Sequence, residues 1–311
     1  MHTHRPVITG IVLAVVATLI WSGNFIVARG VAAQIPPISL AFYRWLTASV
    51  IMLPIAGPLL WHHRNYLRRH GGFLLRTALF GVTLFNTFVY IAGHYSTAIN
   101  LALIGTTTSP VFSILLARIF LGEKLPFARV AGLVLCISGI LWLLSKGSVT
   151  TLLHLRFGAG DAWILAAALA FAIYNIQVRK QPPGLPGTAF LLAVFALGTL
   201  LLLPAWLVEA QAQPPVQWNV NLLLIILYLG AGTSVLAFLC WNVALRQLGA
   251  SRTALFGNLI PVFSTAEAIL ILNERLTWVH ITGGIVVISG LLLANLPALR
   301  ITNALKKSLK C

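Results

Sequence analysis

The chain has 311 residues, 59% of them hydrophobic and 8% charged, with a formal net charge of +16. So small a polar share cannot clothe a chain of this length in a water-soluble surface, which excludes a soluble globular domain and points to an integral membrane protein. The basic residues are scattered over many connections and form no single patch, which sets nucleic acid aside as a partner.

Crossing the hydrocarbon takes about 20 apolar residues in a helix. Ten stretches meet that need: 7–28, 39–60, 73–93, 98–121, 128–145, 160–178, 188–208, 221–245, 252–272 and 278–298. The first follows Arg5, but it is longer than the apolar core of a secretory signal and lacks a small-x-small cleavage site, so it reads as a span. The longest connections, about 146–161 and 208–219, leave no room for a soluble domain. With a cytoplasmic N-terminus, the inner connections and tails collect basic residues from Arg5 and the Arg64, Arg68, Arg69 and Arg76 group to Lys310. The outer ones hold only Arg29, Lys146, Arg156 and Arg275. The positive-inside rule then puts both termini in the cytoplasm and the chain in the inner membrane. Cys136 and Cys240 fall inside spans and Cys311 ends the chain, with neither CxxC spacing nor neighbouring His to make a disulfide framework or a metal site.

The chain repeats itself. Pro110-Val111-Phe112-Ser113 with Glu123, Leu125, Gly132 and Gly139 returns as Pro261-Val262-Phe263-Ser264 with Glu274, Leu276, Gly283 and Gly290. Earlier in the halves Gly10 falls on Gly160, Trp21 on Phe171, Asn24 on Tyr174 and Arg29 on Arg179. Five spans, an odd number, separate equivalent points, so the second copy lies upside down relative to the first. The fold class is all-α integral membrane, ten transmembrane helices as a 5+5 inverted repeat, with repeats over 1–147 and 148–299 and a basic tail over 300–311.

Ala17-Thr18-Leu19-Ile20-Trp21-Ser22-Gly23-Asn24-Phe25 in the first span, Pro36-Pro37 before Ala41-Phe42-Tyr43-Arg44, and the two Pro-Val-Phe copies leading to acidic turns resemble the drug/metabolite transporter superfamily. Within it they are similar to the ten-helix EamA-type carriers. The resemblance implies an exporter of amino acids or other small metabolites with a central cavity made by both repeats; aromatic amino-acid exporters are one branch. Two positions depart from the family pattern: Asn273 replaces the usual Gly before Glu274, and Glu267 stands where an apolar residue is commoner, matched by Leu116 in the first half.

A proline inside a spanning helix removes an amide donor and clashes with the carbonyl four residues back, so Pro110 and Pro261 are expected to kink their helices beside the cavity. Polar and aromatic groups at helical spacing are the candidate substrate contacts: Trp21, Asn24, Asn86, Tyr90, Tyr174, Asn175, Trp241 and Asn242. Amides can bind an ammonium or a carboxylate, and rings can stack or attract a cation. Glu267 is the acidic residue lying well inside a span, and a charge at such depth must be paired, hydrated or protonated. Arg44, Arg29 and His94 are its candidate partners, and Glu267, Arg44 and His94 form a candidate gate or proton-coupling group. A static ion pair fixing helix packing is the alternative. Glu123 and Glu274 read as helix-end stabilisers on opposite faces.

No HExxH, GxGD or GxxxxGK[ST] occurs, so intramembrane protease and ATP-driven pump are poorly supported, and the chain is not expected to be an enzyme or to need a cofactor. The expected function is a secondary transporter that exports small metabolites, amino acids or amphipathic organic cations, across the inner membrane by alternating access. Its partners are a small-molecule substrate, the lipid bilayer and protons, acting as monomer or homodimer. A nucleotide-sugar or phosphorylated-metabolite exchanger and a non-transporting sensor or scaffold are the alternatives.

Overall fold

A computed structural model describes residues 5–31, 34–95, 98–153, 158–272 and 277–308. Glu274 and the side chains of Asn24, Arg29 and His94 lie outside the described set. Among the described residues every regular element is helical. The order is α1 (Arg5–Val31), α2 (Pro37–His62), α3 (Arg64–Ala78), a π segment (Leu79–Leu84), α4 (Phe85–Tyr95), α5 (Ala98–Leu121), α6 (Phe127–Leu144) and a short α7 (Val149–Leu153). The second half continues with α8 (Ala159–Arg179), α9 (Gly187–Ala212), α10 (Val220–Leu227), a second π segment (Tyr228–Leu236), α11 (Ala237–Leu248), α12 (Ala250–Phe256), a 3-10 turn (Gly257–Leu259), α13 (Ile260–Leu272) and α14 (Trp278–Ser308).

Among the described residues six helical stretches are long and apolar enough to cross a membrane: Pro37–His62, Arg64–Gly93, Ala159–Arg179, Gly187–Ala212, Val220–Leu248 and Trp278–Asn295. Shorter apolar helices run over Val7–Gly23, Thr108–Leu121 and Phe127–Leu143. The protein is thus an all-α, multi-pass membrane protein.

Prolines set several helix starts, because their fixed φ suits the entry and the missing N–H is an orphan there anyway. Pro36, Pro126 and Pro186 stand immediately before α2, α6 and α9. Gly249, at φ 89°, separates α11 from α12 in a conformation that favours glycine.

Three features lie outside the hydropathy reading. An amphipathic, basic helical segment starts at Arg64 and breaks at His70, whose φ of −114° and ψ of 19° are not helical, so the third span itself follows that kink, close to the expected 73. The helix α9 continues past 208 to Ala212 and takes Glu209 with it. The connection 146–161 contains α7. The two prolines also behave differently: α5 runs unbroken through Pro110, whereas Pro261 follows the tighter 3-10 turn at Gly257–Leu259.

The two halves meet along α6 and α14. A Cβ on Gly132 would stand 2.4 Å from the carbonyl oxygen of Gly290, and one on Gly139 would stand 2.9 Å from that of Gly283. The residue numbers rise on one helix as they fall on the other, so the two helices run antiparallel with backbones in contact. Since Gly132 corresponds to Gly283 and Gly139 to Gly290, each contact is the image of the other about a two-fold axis. Equivalent helices crossing in opposite directions make the repeat an inverted one.

The helices α2 and α9 likewise pack antiparallel. At one end Glu209 of α9 receives the first-turn amides of α2, Ile38 N at 3.1 Å and Ser39 N at 2.6 Å, and also the Ser39 hydroxyl at 2.8 Å. At the other end Tyr66 OH donates to Pro182 O at 2.8 Å. These ends define two faces of the bundle, called below the Glu209 face and the Glu123 face.

Candidate functional site

Between the halves lies a cavity that a water molecule's centre can occupy over about 80 Å³. That is room for roughly five to eight waters at ~10–15 Å³ each, the scale of one amino acid and below the usual span of drug-sized pockets. Both halves build it. Trp21, Arg44, Phe85, Asn86, Val89, Gly105, Ser109 and Pro110 come from the first, and Ile164, Ala168, Phe171, Trp241, Ala254, Gly257 and Ile260 from the second. The lining thus includes Pro110 and the residues just before Pro261.

One wall is aromatic. Trp21 is held by Phe171, Phe238 and Trp241, with ring centroids 5.7, 5.5 and 5.0 Å away, and Phe85 lies 4.6 Å from Phe171. The other wall carries charge. Arg44, only 1% exposed, donates through Nε to Ser234 Oγ (2.7 Å), through Nη1 to Asn86 Oδ1 (2.9 Å) and Tyr90 OH (3.0 Å), and through Nη2 to Thr233 O (3.3 Å). Such depth is tolerated because a fork of donors meets converging acceptors.

The backbone of the second π segment makes this possible. Ala237 N–H bonds to Gly232 O, one residue further back than in an α-helix. Thr233 O is released from that role and accepts Trp21 Nε1 (2.9 Å) as well as Arg44. Such π turns are frequent at functional sites for this reason.

Tyr90, Tyr174, Asn175 and Asn242 form a layer behind the cavity. Tyr174 OH donates to Asn242 Oδ1 at 2.7 Å, Trp241 Nε1 donates to Asn175 Oδ1 at 3.0 Å, and Asn175 Nδ2 donates to Ser113 Oγ at 3.2 Å. The residues Tyr90, Tyr174, Asn175 and Asn242 are buried and orient Arg44 and Trp241 without themselves lining the space.

Glu267 sits apart from the lining, at the junction of α13, α1 and the second π segment. Its Oε1 lies 2.6 Å from Ser22 Oγ, which also lies 2.5 Å from Leu19 O. Ser22 Oγ is the donor to this carboxylate, whose Oε2 is buried with no hydrogen-bond partner among the described residues. Gly23 keeps this junction open: a Cβ there would stand 2.6 Å from Tyr228 OH and 3.9 Å from Glu267 Oε2. Arg44 and Glu267, grouped from the sequence as a candidate pair, make no ion pair within 4.0 Å of each other among the described residues. Tyr228 lies within electrostatic reach of both.

The Glu123 face is closed by contacts across the halves. Glu123 Oε1 accepts Ala250 N at 2.9 Å and Oε2 accepts Ser251 N at 3.3 Å, capping α12. Arg129 Nη1 lies 4.0 Å from the same carboxylate. At the Glu209 face, by contrast, a vestibule of about 840 Å³ opens between Gln34, Pro36, Ile91 and Tyr95 of one half and Glu209, Gln213 and Gln217 of the other. Sequence reasoning missed Glu209 as a cap. Its signal is a lone acid immediately after the apolar run that ends at Val208, opposite the open first turn after Pro36-Pro37.

Comparison with known proteins agrees with this architecture. A solved structure with 19% sequence identity superposes with a TM-score of 0.74, covering 96% of this chain and 98% of its own, which shows a shared fold. An uncharacterized transporter of Archaeoglobus fulgidus is 31% identical over 90% of this chain and 95% of its own length. A probable terminal-alkyne amino-acid exporter of Streptantibioticus cattleyicolor is 27% identical over 91% of this chain and 93% of its own. The EamA-like transporter family matches twice, over residues 8–145 and 158–296, once on each side of the α6–α14 seam's symmetry. The chain is a membrane transporter and belongs to the EamA-like transporter family.

Proposed function

We propose that the protein is a secondary carrier that exports a small metabolite from the cytoplasm by alternating access, with its ten helices as two inverted five-helix repeats over 1–147 and 148–299. The observation that carries the reading is the asymmetry about the cavity. One face is latched across the halves by Glu123 on α12, while the other opens into a vestibule walled by both halves. A cavity lined by two related halves, with a latched face on one side and a vestibule on the other, supports the carrier reading.

The Glu123 face is assigned to the cytoplasm, because Arg64, Arg68, Arg69, Arg179, Lys180 and Arg246 cluster towards it. The vestibule then faces outward. Glu267, a carboxylate inside a spanning helix and hydrogen-bonded by Ser22, is the coupling group of this reading: export exchanges for a proton taken up there. The amino-acid exporter among the relatives supports amino acids as the first solutes to try. An uptake screen of amino acids in proteoliposomes, with and without an imposed pH difference, tests the reading. Uptake above that of protein-free liposomes is expected, and its absence across the screen would refute transport of this class.

A further inference from the structure

We propose that the link between α2 and the third span binds the headgroup of an anionic phospholipid, with Arg64, Arg68, Arg69 and Arg76 as its cations and Trp61 as its anchor in the bilayer. The inference needs only a membrane protein, and stands apart from the cargo and from alternating access.

The site is built around one break in a helix. The segment from Arg64 runs helically until His70, whose φ of −114° and ψ of 19° turn the chain into the third span. So short a link between two spans has to lie where hydrocarbon gives way to water. One side of it is packed: Tyr66 and Leu67 rest on the core, and Tyr66 OH is bonded to Pro182 O. The other side presents Arg64, with Arg68 one helical turn on and Arg69 beside it, all three exposed.

Arg76 joins them from within the span. Its Nε donates to Gly72 O at 3.2 Å, which draws the guanidinium back towards the kink, as a cation on a long apolar stem reaches for the interface. Gly71 and Gly72 stand between these cations, and a Cβ on either would meet nothing within 4 Å. The space beside the cluster is therefore open.

No acid answers these charges. Of the acidic residues, Glu123 lies against Arg129, Glu209 caps α2 at the opposite face, Asp161 accepts Gly158 N and Glu267 is bonded by Ser22. Among the described residues none of the four arginines lies within 4.0 Å of a carboxylate. Like charges crowded at one turn repel, and an anion from outside the chain relieves them.

The surroundings favour a lipid over a soluble phosphate. The Arg64 guanidinium lies 5.8 Å from the centre of the Trp61 ring, and Trp61 is 73% exposed at the end of its span. Leu53 and Ile55 on α2 and Leu75 on the third span are exposed as well. An indole and aliphatic groups bordering a cluster of cations fit a ligand that joins an anionic head to acyl chains in one molecule. The guanidinium fork suits paired phosphate oxygens.

Bromine quenches indole on contact, so brominated lipids report what touches Trp61. The protein is placed in phosphatidylcholine bilayers with a rising fraction of brominated phosphatidylglycerol or of brominated phosphatidylcholine, and the share of Trp61 is taken by difference from Trp61→Phe. The anionic lipid is expected to quench Trp61 at an at least about fivefold lower fraction, the advantage of a single basic residue near an anionic surface. Arg68→Gln combined with Arg69→Gln should abolish that preference. Lys124→Gln combined with Lys180→Gln, which removes the same charge from the same face, should leave it in place.

Equal quenching by the two lipids, a preference unchanged in Trp61→Phe, a preference lost equally in both double variants, or one abolished by excess soluble glycerol phosphate would each overturn the inference. The last of these would assign the cluster to free phosphates. Tm in detergent shows whether each variant is folded. The lipid comparison, Trp61→Phe and the glycerol phosphate competition need no charge variant, so the test stands even where the arginine replacements fail to fold.

Discussion

Cys136 Sγ donates to the carbonyl of Val287, at 3.4 Å, and the two residues are 151 positions apart and equivalent in the two halves. A position that touches its own counterpart lies on the symmetry axis, which therefore passes between α6 and α14. Around it Gly132 and Gly139 meet Gly290 and Gly283 backbone to backbone, an approach that only residues without a side chain permit.

Gly132→Ala tests that seam. The added methyl meets the carbonyl oxygen of Gly290, a backbone atom that cannot swing aside, so overpacking of about 1–3 kcal/mol is expected, read as a lower Tm in detergent. Gly72→Ala, whose Cβ meets nothing within 4 Å, should leave Tm unchanged or raise it.

Glu123 is the latch of the closed face. Its two bonds to the first amides of α12 are charge-assisted, and their loss in Glu123→Ala should release the helix start, with each such bond contributing about 1.5–3 kcal/mol. A thiol introduced as Ala250→Cys, at a fully buried position, reports the opening. Its labelling rate should rise at least about tenfold when Glu123 is also replaced, and an unchanged rate would show that the latch is ornamental.

Glu209 makes the equivalent cap on α2 at the other face, with a hydroxyl bond added. Removal in Glu209→Ala is expected to cost about 0.5–2 kcal/mol, as for other helix caps. The measurement is again Tm, with Glu209→Gln falling between the two because one oxygen still accepts.

Glu267→Gln tests that carboxylate as the proton carrier of the proposed exchange. In proteoliposomes the same variant should keep solute exchange and lose the response to an imposed pH difference. A response that persists would clear Glu267 of carrying the proton.

The helical course of the chain and its duplication were readable because both are written in composition: apolar runs of spanning length, and glycines and prolines at a constant offset. The site was legible in part. Trp21, Arg44, Asn86 and Trp241 meet at the cavity; the spacing of polar and aromatic groups had marked three of them, and Arg44 had been marked as a candidate partner of Glu267. What spacing cannot tell is depth behind a wall, so Tyr174, Asn175 and Asn242 look from the sequence like lining and lie one layer back. The partners of Arg44 were hidden for a different reason. They depend on a π segment that frees Thr233 O, and nothing in Gly230-Ala231-Gly232-Thr233-Ser234 announces a change of hydrogen-bond register. Ser22 escaped notice because a serine in an apolar helix ordinarily bonds back to its own turn, as it also does here.

The most direct test of alternating access is a pair of distances followed in one sample. Spin labels at Gln34 and Gln217 span the vestibule, and labels at Lys124 and Arg179 report the Glu123 face. On addition of a transported solute, a population with a narrower vestibule and a wider Glu123 face should grow, the two changes rising together. Distances that both stay fixed, or that widen in concert, would contradict a carrier and its two-sided gate.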